Sequence, residues 1–363
     1  MAAIAWTVAQ VEDVVDAVRS SAKVIARGGG SKPGLYGMAV AQGAQVLEMA
    51  ALRGITEYVP DEFTFTARAG TSLAEIDAAL KEHGQFLPFD PPLVETGATL
   101  GGAIASGLSG SGRVRYGGLR DFLLGVAFVD GQGRLVRGGG KVVKNAAGID
   151  MARLMIGSLG RLGVLVEATF KVFPRPQRYA TVRLRCRDMR EVRAAIAKLY
   201  TSPIELYGLE VSVDGPPALW VRIGGLDSVR AERLQRLLEI LPGAVELSDS
   251  EELEFWRRQR EFGWVERGWN LVRSPIAVNV VESVDRHFQA AGAKRVYSAG
   301  ATQAWFSLPA TAEERGPLLS ALGLGGLVVW GESEHPLVGV RTGDVMLQRV
   351  KRVLDPDGRF LEF

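Results

Sequence analysis

Two hydrophobic spacings share the chain, and they divide it. Val8, Val11, Val14, Val15 and Val18 recur with the helical period behind Thr7 and Gln10, a capping-box pair, so a first helix is expected to end near Ser20. Ser72 with Glu75 repeats the signal ahead of Ile76, Ala79 and Leu80, and Gly84 suits the left-handed residue that ends a helix. Around them, short apolar or alternating runs read as strands at 23–26, 45–48, 63–69, 124–130, 135–137 and 163–173.

The second half shows an approximate internal repeat. Strand 180–186, helix 188–200, strands 205–213 and 219–223 and helix 227–241 form one pass. Strand 274–278, helix 281–291, strands 295–298 and 303–308, helix 311–322 and strand 327–330 form another. This split β-α-β-β-α-β order builds an antiparallel sheet with helices on one face, giving an α+β class, and a helix at 344–354 closes the chain. Pro174 and Pro176 mark the seam by stiffening the chain and stopping a strand ladder. The expected division is 1–176, 177–335 and a closing segment 336–363.

Composition sharpens that division. Of 44 glycines, 27 lie in residues 1–175, whereas six of the seven tryptophans lie beyond them, so the halves have different tasks. With 43 Lys and Arg against 41 Asp and Glu, the chain has no field for a nucleic acid. Cys186 stands alone, so an internal disulfide is excluded, and an iron–sulfur cluster would sit on another protein. No run of eighteen uncharged apolar residues spans a bilayer, and the N-terminus reads as intracellular, so a cytoplasmic location is expected. His83, His287 and His335 lie far apart, and no metal is expected.

Three glycine segments carry the candidate chemistry. In Arg27-Gly28-Gly29-Gly30-Ser31, directly after a strand, successive amides can converge on an anion, or the segment is simply a turn. Thr99 to Gly107 and Gly157 to Val164 add two more glycine loops. Lys32 and Pro33 break the dinucleotide fingerprint after Gly30, and no P-loop pattern surrounds Gly140-Lys141, so Rossmann and P-loop folds are disfavoured.

The ordered set Ala26 to Ser31, Leu87-Pro88-Phe89-Asp90-Pro91-Pro92, Thr99-Leu100-Gly101-Gly102, Arg115-Tyr116-Gly117, Arg120-Asp121-Phe122, Val143 to Gly148 and Gly157 to Val164 resembles the FAD-binding domain of vanillyl-alcohol-oxidase-type (PCMH-type) flavoproteins. Within them it looks most like the FAD-binding E subunits of bacterial glycolate oxidases. The resemblance covers residues 1 to about 176. It implies a two-part FAD-binding domain before the antiparallel, ferredoxin-like second domain. Arg27 to Ser31 would wrap the pyrophosphate. Pro88, Thr99, Gly101, Gly102, Ser106 and Gly107 would follow the phosphate, ribitol and flavin, with Tyr116 and Gly117 also counted in the site. Gly157, Gly160, Gly163 and Val164 would lie near the adenosine end. Related covalent flavoproteins place a histidine just after the glycine run; here that residue is Ser31, so FAD is expected to be noncovalent.

Other residues leave alternatives open. Lys144 and Asn145 would touch the cofactor or merely cap a loop. Arg113, Arg115 and Arg120 form either a solvated face or a contact for a carboxylate or partner. The aromatic stretch Phe255, Trp256, Phe262, Trp264 and Trp269 is core or subunit interface. Sister catalytic subunits carry a histidine-rich metal motif that is missing here. The resemblance therefore implies a flavoprotein subunit oxidising glycolate or a similar 2-hydroxy acid beside a second flavoprotein subunit and an iron–sulfur subunit. Those partners could hold it at a membrane. An independent dehydrogenase of a small hydroxy acid or polyol, and an assembly protein with a vestigial FAD site, are the alternatives.

Overall fold

The computed structural model describes residues 5–36, 43–140, 150–309 and 311–363. Lys144 and Asn145 lie outside the described residues.

The first half builds two sheets. Ala5–Thr7 and Val24–Arg27 flank Gln45–Glu48 in a parallel, three-stranded sheet. Ile55–Val59, Thr64–Arg68, Val164–Lys171, Leu123–Val129 and Leu135–Gly139 follow one another in an antiparallel, five-stranded sheet. Helix Leu73–Glu82 starts on the expected cap, with Ser72 Oγ accepting the Glu75 N–H at 3.1 Å. The first helix, Val11–Ser20, starts later than the Thr7 signal suggested. Thr7 stays in its strand, and the Asp13 carboxylate takes the Ala9 and Gln10 N–H groups at 2.8 and 3.0 Å, so the cap moves to Gln10.

Two other expectations are corrected. The segment after Thr99 is a helix, Leu100–Ser106, rather than a loop: Thr99 caps Gly102 N–H, Leu100, Ala103 and Ile104 bury one face, and Gly107 ends it at φ +63°. At the seam, Phe173–Pro174 pairs with Gln85–Phe86, so pairing continues through Pro174. A two-stranded ribbon tolerates a residue without an N–H.

The second half forms one antiparallel sheet of nine strands. Val245–Glu246, Arg178–Arg185, Ala218–Gly225 and Gly208–Val213 come from the first pass. Lys294–Ser298, Gln303–Leu308, Asn270–Pro275, Gly325–Trp330 and Leu337–Gly339 follow from the second. The two passes join where Val211 faces Tyr297, each presenting the same strand of its repeat. Side chains alternate between two buried faces. Val296, Trp305 and Leu327 pack toward the first half, while Tyr297, Phe306 and Val328 pack toward helices Met189–Tyr200 and Val281–Ala290. Thus Phe89, Phe122 and Phe170 share one apolar core with Phe262 and Trp305. The closing helix Asp344–Leu354 returns the tail to the first half, where Phe360 is buried with Val14 and Val18.

Candidate functional site

The three glycine segments meet in one groove, lined by Gly28, Gly29, Gly30, Ser31, Thr99, Gly101, Gly102, Gly160 and Gly163. Strand Val24–Arg27 delivers the first segment. A Cβ on Gly29 would strike the Gly97 carbonyl and one on Gly28 the Thr99 hydroxyl, so these glycines let two loops touch backbone to backbone. The third segment is stitched to the end of helix Leu100–Ser106: Gly157 and Leu159 N–H donate to the Ile104 and Ala105 carbonyls, both at 2.9 Å. These are carbonyls that a helix end leaves without partners. Arg161, absent from the expected site, holds the walls together by donating to Leu159, Leu35 and Glu362 carbonyls.

The groove is rich in donors. Among the described residues, no protein acceptor takes the backbone N–H of Gly28, Gly29, Gly30 or Ser31. Lys32 lines the same groove and is 5% exposed, and among the described residues its ammonium donates only to Ser31 Oγ at 3.2 Å. Burial lowers its pKa to about 8, with Glu261 opposing the shift. The segment is anchored from the second half by Trp330 Nε1–H, which donates to the Ser31 carbonyl at 2.9 Å. Sequence reasoning met Lys32 only as a residue that spoils a motif.

The remaining expected residues take other places. Arg27 lies beside the loop with its guanidinium paired to Glu48. Pro88 and Tyr116 border a separate, open groove with Arg175, Tyr179 and Tyr207. Ser106 Oγ donates to the Ala103 carbonyl, Gly107 packs against Gly157, and Gly117 takes φ +89° beside Asp121. Val164 is buried in its strand. Arg115 pairs with Glu205 at 3.0 Å and lies over Tyr207. Of the aromatic stretch, Trp256 and Phe262 are buried core, and Phe262 packs on Trp305.

A second, small cavity lies where the halves meet. Trp256, Phe262, Trp264 and Trp305 wall it, and Glu210 is its buried acid. Ser298 Oγ donates to Glu210 Oε2 at 2.6 Å, while among the described residues Glu210 Oε1, Gln259 Oε1 and Trp264 Nε1 have no hydrogen-bond partner. Burial pushes the Glu210 carboxyl up to about 8, against the hydrogen bond from Ser298, so it is mostly protonated at neutral pH. No feature of the sequence pointed to this acid.

Comparison with known proteins supplies the context. Residues 2–139 match a family model described as an FAD binding domain. The chain is 40% identical over 259 residues to the glycolate oxidase subunit GlcE of Escherichia coli strain K12, covering 70% of this chain and 69% of that protein. It is 32% identical over 159 residues to the glycolate oxidase subunit GlcD of Bacillus subtilis strain 168, a match that covers 44% of this chain and 33% of that protein. Alkyldihydroxyacetonephosphate synthase has the same fold, with a TM-score of 0.72 at 15% identity over 98% of this chain and 76% of that one. Among the described residues, no helix is long and apolar enough to cross a membrane. With its FAD-binding domain and its full-length likeness in fold to a PCMH-type protein, the chain belongs to the family of the glycolate oxidase subunit GlcE, within the FAD-dependent oxidoreductases.

Proposed function

We propose that this chain is the FAD-binding subunit of a complex that oxidises glycolate or a similar 2-hydroxy acid to the 2-oxo acid. The observation that carries the reading is the set of unpaired donors that line the groove. Free amides of Gly28 to Ser31 and a buried ammonium without a carboxylate partner fit a group with negative charge at its centre. FAD has that charge in its diphosphate, and when bound it supplies the redox chemistry. Lys32 and the loop amides would hold the diphosphate, Gly101 and Gly102 would admit the chain beyond it, and Leu159 and Gly160 would cover the far end of the groove. With serine at position 31 and no histidine in the groove, the attachment would be noncovalent.

The names of the GlcE and GlcD relatives support a multisubunit assembly. In that assembly a second flavoprotein subunit and an iron–sulfur subunit would accompany this chain in the cytoplasm. A division at 176 would separate the cofactor half from the sheet that covers it, whose last strand, Leu337–Gly339, lies beyond 335. Titrating the apoprotein with FAD tests the reading: quenching of flavin fluorescence with a shifted absorption band is expected. Glycolate-dependent reduction of an artificial acceptor should then rise when the partner subunits are added. A chain that never perturbs the flavin spectrum, alone or with partners, would sink it.

A further inference from the structure

Buried polar atoms without a partner are rare in native folds, and the cavity at the seam gathers several of them. Among the described residues, Glu210 Oε1, Gln259 Oε1 and Trp264 Nε1 are buried and unpaired, and all three side chains line it. Glu210 stands on strand Gly208–Val213 and is 2% exposed. Gln259 lies in the last turn of helix Asp249–Arg260, and Trp264 follows in the turn beyond it. Glu210 Oε2 already accepts the Ser298 hydroxyl, so the proton that burial keeps on the carboxyl falls to Oε1 and makes that atom a donor. The cavity therefore offers two donors, Glu210 Oε1–H and Trp264 Nε1–H, and the acceptor Gln259 Oε1.

Slack packing does not explain the hole. A Cβ on Gly110 would strike the Asp90 carbonyl, and one on Gly208 would meet the Trp256 ring at 2.6 Å, so these walls stand as close as glycine allows. The backbone around the hole is also strained. Of the seven described non-glycine residues with φ between +50° and +65°, Asp90 and Phe262 line the cavity, while Leu93 and Ala299 adjoin its lining residues Pro92 and Ser298.

Charge decides what can enter. Among the described residues Arg260 is the one cation that lines the cavity, and it is paired with Glu95 at 3.3 Å and Glu261 at 3.5 Å. A carboxylate would share the space with Asp90 and find no free cation, so the occupant carries no charge. Trp256, Phe262, Trp264 and Trp305 present apolar rings to its carbon atoms. A hydroxyl both donates and accepts, so a molecule with two of them can serve Gln259, Glu210 and Trp264 together.

We propose that this cavity is a binding site for a small uncharged hydroxy compound, a diol or triol of two or three carbons, held by Glu210, Gln259 and Trp264. It shares no lining residue with the glycine groove and does not depend on the functional reading above. Phe262 links the two places, since its ring packs at 5.7 Å on Trp330, whose N–H holds the Ser31 carbonyl at the groove.

The test uses the full chain as purified, with ethylene glycol and glycerol as probes followed by saturation-transfer NMR and tryptophan fluorescence. Saturable binding is expected. Ethanol, with a single hydroxyl, should bind about three- to tenfold more weakly, the scale of one hydrogen bond. Gln259→Met and Trp264→Phe each remove one bond from the diol and should weaken it by the same factor. If Trp264→Phe fails to fold, Gln259→Met, at a half-buried helix position, still decides. Sodium glycolate should bind through these residues at least tenfold more weakly than ethylene glycol at neutral pH. A response that rises linearly with ethylene glycol, or one unchanged in Gln259→Met, would mean that the cavity holds only water and would overturn the site. Glycolate binding as tightly as the diol, with the same loss in Gln259→Met, would overturn the assignment to an uncharged ligand.

Discussion

Lys32 and Lys351 are buried to nearly the same depth, 5% and 4% exposed, yet their surroundings are opposite. The Lys351 ammonium donates to Asp355 at 2.7 Å and to the Arg161 and Phe360 carbonyls at 3.2 and 3.3 Å. Asp355 in turn receives the Arg359 and Phe360 N–H groups, so the charge pair is embedded in the turn that brings the tail home. Lys32 has one hydroxyl, in a groove of unpaired amides. Burying an ammonium costs several kcal/mol unless the protein returns it through partners. Where the partners are present the lysine is architecture; where they are missing, the protein has left room for a ligand to provide them.

The sharpest way to break the comparison is to remove each lysine. Lys351→Met leaves the Asp355 carboxylate buried and unpaired, so unfolding free energy should fall by about 3–5 kcal/mol in denaturant titrations. Lys32→Met in the apoprotein should leave stability level or raise it, since the lost charge had no partner. Equal losses from both variants would erase the distinction.

Glu210 tests the same logic with the opposite charge. Its carboxyl holds a proton in the folded chain until about pH 8 but loses it near 4.5 when unfolded. The stabilisation from this raised pKa is complete below 4.5 and disappears as pH rises through 8. Glu210→Gln keeps the shape and cannot ionise, so at pH 9 it should be more stable than the wild type by up to about 5 kcal/mol, since one pKa unit is worth about 1.4 kcal/mol. At pH 4 the two should agree closely. A variant that is less stable at pH 9 would mean that Glu210 is buried as a charge.

These contrasts also separate what could be read along the chain from what could not. The β-α-β-β-α-β repeat was legible because its longer strands are runs of five to eight residues with turn signals, and Met189–Tyr200 begins at Asp188 with Glu191 in its first turn, within reach of local rules. Helix Leu100–Ser106 was hidden by glycines at 101 and 102, although the Thr99 cap and the 100, 103, 104 apolar spacing were its signature. The glycine segments were legible as backbone that must come close to something. That Gly29 answers to the Gly97 carbonyl was not, since contact across 68 residues leaves no local trace. The charges were beyond reach for the same reason. Whether Lys32 is solvated depends on Trp330 of the second half anchoring Ser31.

The smallest expected effect gives the finest test of Lys32 as part of the cofactor site. In the apoprotein Lys32 loses its proton near pH 8, earlier than an ordinary lysine, because burial disfavours the charged form. An anion bound beside the ammonium favours that form and raises its pKa, so FAD binding takes up a proton above pH 8. FAD affinity should be constant from pH 6 to 7.5 and then weaken by up to tenfold per pH unit toward pH 10. Lys32→Met should bind FAD about 10–100-fold more weakly at pH 7, the scale of a charge-assisted hydrogen bond, and show none of the alkaline decline. Lys32→Arg, which stays charged throughout, should flatten the decline while keeping part of the affinity. Flavin fluorescence titrations across that range measure all three proteins, and the same alkaline decline in Lys32→Met would assign the titration to another group and return Lys32 to the architecture.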